Sequence, residues 1–79
     1  MNHVEIVYSL PQRERVSLRV FDLAGREIAA PFDGEGVAGL NTARWDGRTR
    51  SGSRAPAGVY LYALRHGSTT ITRRFVLLD

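Results

Sequence analysis

The sequence predicts an all-β fold, a small antiparallel β-sandwich of immunoglobulin-like type with about seven short strands. Three observations predict it. Apolar and polar residues alternate with a period of two over several short segments. Gly, Pro and Asp-Gly turn chemistry divides these segments at intervals of roughly 8–12 residues, the spacing of a sandwich. No stretch carries an amphipathic helical stripe longer than a turn or two.

Val4, Ile6 and Tyr8 alternate with Glu5 and Ser9, and Pro11 closes this first strand. Val16, Leu18 and Val20 alternate with Ser17 and Arg19, a half-buried second strand. Asp22-Leu23-Ala24-Gly25 follows, with Asp at the first position of a type I turn and Gly where a left-handed residue is needed. Arg26 to Ala30 is the return strand of that hairpin. Pro31 to Gly39 holds three glycines and two acids and is expected to be an irregular connection. Leu40 to Asp46 is a short strand carrying the single Trp, and Gly47 to Gly58 is a polar loop without periodicity. Val59 to Leu64 is apolar on both faces, as a central strand is. His66-Gly67-Ser68 makes a tight turn, and Thr69 to Leu78 returns as the last strand. Trp45, Tyr60 and Tyr62 are the expected core, and a buried tyrosine among them needs a loop carbonyl for its hydroxyl.

A chain of 79 residues is one domain, and a domain of that size buries only about 60% of its unfolded surface. It has no Cys, which excludes disulfides and thiolate metal sites. The apolar fraction of 43% is that of a globular protein. No apolar run approaches the roughly 18–20 residues of a membrane-spanning helix. Met1 to Glu5 has no signal-peptide layout, so export would require a signal upstream on a longer parent chain. The net charge is +3 and all 11 basic residues are Arg. They are dispersed among eight acids, which reads as a solvated surface and argues against a nucleic-acid patch. Only Arg48, Arg50 and Arg54 cluster, in the Gly47–Gly58 loop, and these three are the candidate anion-binding residues.

Catalysis has little to stand on. A nucleophilic triad needs one of two histidines, and His3 lies near the N-terminus while His66 is expected in a turn. No metal-ligand spacing is present. Asp33-Gly34-Glu35-Gly36 and Asp46-Gly47 are the oxygen-rich segments that calcium would use, but Asp-Gly is above all turn chemistry. No cofactor is expected, and the chain is read as a non-enzyme.

The order of motifs resembles a family. Val16-Ser17-Leu18-Arg19-Val20-Phe21-Asp22-Leu23-Ala24-Gly25-Arg26 is followed by Ala38-Gly39-Leu40, then Arg44-Trp45-Asp46-Gly47-Arg48, then Gly58-Val59-Tyr60-Leu61-Tyr62. The chain closes on Thr72-Arg73-Arg74-Phe75-Val76-Leu77-Leu78. This is similar to the Ig-like domain of the flagellar hook-capping protein and to the C-terminal sorting domain of type IX secretion. The resemblance spans about Val4 to Leu78. It marks Asp22, Gly25, Arg26, Trp45, Asp46, Gly47, Gly58 and Tyr60 as family positions. It also implies that Arg73, Arg74, Phe75, Val76, Leu77 and Leu78 are met by a partner. Where relatives carry an acidic loop after Trp45-Asp46-Gly47-Arg48, this chain reads Thr49-Arg50-Ser51-Gly52, which removes the calcium ligands that relatives would offer.

Two functions follow from the resemblance. One is a C-terminal sorting module of a secreted or cell-surface bacterial protein, monomeric and recognised by secretion machinery through its edge and terminal strand. The other is a structural module that packs against neighbouring subunits, as a hook-cap domain does. Both imply a protein partner, no nucleic acid and no membrane insertion.

Overall fold

The computed structural model describes residues 3–78. Among the described residues there are six strands: β1 (Val4–Leu10), β2 (Glu14–Phe21), β3 (Glu27–Gly36), β4 (Gly39–Trp45), β5 (Gly58–His66) and β6 (Thr69–Leu77). All pairings are antiparallel, in a two-stranded sheet β1-β4 and a four-stranded sheet of order β3-β2-β5-β6. The all-β sandwich is therefore as the alternation implies, with six strands where about seven are expected.

The six are the segments read from the alternation, and the one that differs is β3, which runs further than expected. The Pro31–Gly39 segment, expected to be irregular, continues β3 as far as Gly36. Two effects keep it in the ladder. Arg15 pairs with Asp33 at 2.9 Å and Arg13 with Glu35 at 3.2 Å across the outer face, while Phe32, Gly34 and Gly36 alternate on the inner one. Pro31 is tolerated because β3 is an edge strand and because the register slips between Leu18/Val20 and their partners Phe32/Ala29, leaving Ala30 and Pro31 in a bulge. Gly36 is there for space, not for a turn, since a Cβ would lie 2.5 Å from Leu10 Cδ1 and 3.0 Å from Val16 Cγ2.

The two sheets close over two apolar clusters. Ile6, Tyr8, Leu10, Val16, Leu18, Ala43 and Leu64 form the first. Val20, Ala29, Trp45, Ala55, Tyr60 and Leu77 form the second. The central strands β2 and β5 supply most of the fully buried side chains, because both have neighbours on two sides and a sheet above. The β3–β4 connection is held by Asn41, whose Oδ1 accepts the Val37 N–H at 3.0 Å. Its Nδ2 donates to the carbonyls of Val37 at 2.8 Å and Gly39 at 3.1 Å.

Candidate functional site

The family positions gather at one end of the sandwich, where the β2–β3 turn and the loop between β4 and β5 meet the second apolar cluster. Asp22 organises the turn. Its Oδ1 accepts the N–H groups of Ala24 at 3.0 Å and Arg26 at 2.9 Å, and its Oδ2 accepts Arg26 Nε at 2.9 Å. The Asp22 carbonyl accepts the Gly25 N–H at 3.0 Å, and Gly25 takes the left-handed conformation (φ +86°) that this hairpin requires. The Arg26 N–H above all holds the Asp22 carboxyl below its ordinary range; burial opposes it, and the Arg26 guanidinium and the Ala24 N–H add to the lowering.

A depressed carboxyl stabilises the fold fully above the unfolded-state value near 3.9 and loses that contribution as pH falls through the lower folded value. Urea midpoints are therefore expected to fall in acid below about pH 4, and Asp22→Asn is expected to flatten that fall while lowering stability at neutral pH. An unchanged acid limb in Asp22→Asn denaturation curves would count against this role.

Trp45 joins the loop to the core. Its ring is buried edge-on to Tyr60 (centroids 6.0 Å, 70°) and to Phe75 (5.9 Å, 81°), and Nε1 donates to the Arg48 carbonyl at 2.8 Å. The Arg48 N–H donates to Asp46 Oδ1 at 3.0 Å, and the Ala55 N–H to the Gly47 carbonyl at 2.8 Å. Tyr60 donates its hydroxyl to the Pro56 carbonyl at 2.5 Å, the loop contact expected of one of the two tyrosines. Burial, and next the Asp22 carboxylate, raise the Tyr60 phenol. The segment without periodicity is thus an ordered loop, carried by side chains at its two ends.

The three candidate anion-binding arginines lie on this loop with differing surroundings. Arg48 Nη1 donates to the Gly52 carbonyl at 3.1 Å, and Arg50 pairs with Glu27, which also pairs with Arg19 at 3.0 Å. Arg54 faces Arg48 across an isolated antiparallel bridge. An open groove of about 530 Å³ runs between the loop and β3, lined by Ala30, Pro31, Arg44, Arg48 and Arg50. All three of its cations already have oxygen partners, Arg44 facing Glu5 at 3.9 Å, so the groove offers an anion less than the sequence cluster suggests.

His66 is not in a turn. It ends β5, with Gly67 and Ser68 alone forming the turn, and its side chain is only 14% exposed with Nδ1 against the Glu14 carboxylate. This is a half-buried, oriented imidazole that sequence spacing does not reveal. No hydroxyl is bonded to it among the described residues, so it forms a cross-strand clasp between β2 and β5 and not a nucleophile–base pair. Among the described residues no three His, Asp or Glu side chains stand close enough to hold a metal. Asp33 and Glu35 are strand residues paired to arginines, and Asp46 accepts a backbone N–H.

The terminal run divides by strand parity. Phe75 and Leu77 point into the second cluster, and Arg73 shares their face but is exposed. Arg74 and Val76 lie on the outer face, where Val59 and Val76 pair directly, and Leu61 and Phe21 continue the apolar strip. Val76 is 61% exposed. On the other sheet, Val7 and Leu40 are exposed at 65% and 76%. β6 pairs with β5 through nine consecutive residues without a register shift, and its far edge has no strand beside it among the described residues.

No curated protein and no solved structure matches the chain. The sequence model of the FlgD Ig-like domain matches residues 3–69, from the approach to β1 as far as the first residue of β6. The matched span holds the Asp22 turn, Trp45 with its loop, and Tyr60, the features that build this end of the sandwich. The chain belongs to the FlgD Ig-like domain family.

Proposed function

We propose that this domain is a non-catalytic assembly module of an exported bacterial structure, one that packs against neighbouring subunits as its hook-cap relatives' name suggests. The observation that carries the reading is the apolar strip of Phe21, Val59, Leu61 and Val76 on the outer face of the four-stranded sheet. Scattered exposed apolar residues are ordinary, but a contiguous strip across three strands is the mark of a packing surface. Membership of a family of structural Ig-like domains supports it. Sedimentation velocity over a concentration series tests it. The domain is expected to associate as concentration rises, and Val76→Glu to return it to the monomer. A wild-type domain that stays monomeric throughout would sink the proposal.

A second reading is favoured by one observation, the regular open edge of β6. Edge strands are normally blunted by bulges, prolines or charge, and β6 keeps only the charge of Arg73 and Arg74. A secretion receptor of the type IX kind would recognise such an edge by strand addition. In this reading the domain is the last module of a larger secreted or surface protein. The matched family span stops at residue 69, so the strand that would be recognised lies beyond it. Deleting Phe75 onward is a poor test, because Phe75 and Leu77 belong to the core. Arg74→Glu in a reporter fusion keeps the fold, and unchanged export by a type IX host would remove this reading.

A further inference from the structure

The sandwich is unequal, and its shortfall is on one side. Two strands face four. β4 sits against β3, to which a two-residue connection joins it, so β1 lies toward the β6 side and leaves that side open. The inner face shows it. On β2 the inward residues Val16, Leu18 and Val20 are completely buried, whereas Tyr62 on β5 and Ile71 and Phe75 on β6 are only half-covered. Arg73, between Ile71 and Phe75 on the same face, is exposed and has no ion-pair or hydrogen-bond partner among the described residues. Beside this row runs the outer edge of β1. β1 pairs with β4 through seven residues in unbroken register, contains no proline, and has no strand on its other side among the described residues.

We propose that this open side receives an extended segment from a partner protein, added to the β1 edge as a third strand of the smaller sheet. Resting on the assembly reading, this names the chemistry of one partner. The unsatisfied edge groups of β1 would pair with the segment's backbone. Its inward side chains, at every second position, must be apolar to cover Tyr62, Ile71 and Phe75. One inward position must be Asp or Glu, to meet the Arg73 guanidinium. A segment matching β1 in length spans about 23 Å at roughly 3.3 Å per residue. The edge of β3 does not compete for such a segment, since Pro31 and two register shifts spoil its ladder.

The test is an amide NMR titration of the whole labelled domain with a synthetic nine-residue peptide alternating Val and Thr, with one central inward Val replaced by Glu. Shifts are expected at Val4 to Leu10 and at Ile71, Arg73 and Phe75. The same peptide N-methylated at alternate amides is expected not to bind, and Arg73→Glu, checked for folding by circular dichroism, to weaken binding about tenfold or more. Shifts confined to the outer edge of β6 overturn the proposal, as do indifference to N-methylation and to Arg73→Glu, or a dimer paired through β1 that excludes the peptide. No peptide binding by a domain that still self-associates sinks this inference alone. Peptide binding by a strictly monomeric domain keeps it and removes only self-packing.

Discussion

Trp45→Ala is expected to lower the stability of the domain by about 3–5 kcal/mol. A chain of this length has a total of roughly 4–12 kcal/mol to lose, so the variant is expected to be largely unfolded or close to it. The size of the effect follows from what the indole touches. It fills the space between Tyr60 and Phe75, packs in the cluster with Val20, Ala29 and Leu77, and ties Arg48 of the following loop through Nε1. Removing it opens a cavity that Val20 and Tyr60, fixed on the two strands with ladders on both sides, cannot close. Trp45→Phe separates the two contributions, keeping an aromatic ring while releasing the Arg48 carbonyl. It is expected to cost less than half as much. Denaturation followed by far-ultraviolet circular dichroism checks both, since the only tryptophan is the one removed. A loss under 1 kcal/mol for Trp45→Ala would mean that the loop and the second cluster do not depend on it.

Gly36→Ala is expected to cost about 1–3 kcal/mol although it adds a single methyl and requires no unusual backbone angle. The new Cβ would meet Leu10 Cδ1 at 2.5 Å and Val16 Cγ2 at 3.0 Å, and both neighbours are buried. Val16 is fixed on a central strand, so Leu10 must leave its rotamer in a closed core. The double variant Gly36→Ala with Leu10→Val is expected to lose less than the sum of the two single losses, because the smaller side chain makes room. Strict additivity in urea denaturation would show that the clash is relieved elsewhere.

Most of the architecture is written in the chain as local alternation. β1, β2, β4, β5 and β6 follow it because each has one face in the core and one in water, or, for β5, apolar residues on both. β3 does not, for two physical reasons. Its inward positions beyond Phe32 are Gly34, beside the Phe32 ring, and Gly36, close to Leu10 and Val16, and glycine in a sequence looks like a turn. Its acids look like loop solvation, and their partners Arg13 and Arg15 become visible only once β2 and β3 are aligned. His66 is hidden in the same way. Glu14, which orients it, is 52 positions away in the chain and arrives only through the β2–β5 register. Asn41 binds its own loop within four residues, and an Asn two positions after a Gly at a strand start is the signal that would have pointed to it.

The Asp22 turn, by contrast, could be read from composition, since its contacts span no more than four residues. The terminal run is legible only in part. Alternation alone places Phe75 and Leu77 inward, and their burial is what separates them from Arg74 and Val76.

The pairing order has a kinetic consequence. Two hairpins, β2–β3 and β5–β6, join neighbours in sequence and need little chain closure. The β2–β5 and β1–β4 ladders join strands far apart in the chain, and neither sheet is complete without one of them. Folding therefore waits on these distant encounters and belongs in the millisecond-to-second range rather than the microsecond one. Trp45 sits on β4, the strand that completes the smaller sheet, so the single indole reports the arrival of that late contact as the domain closes.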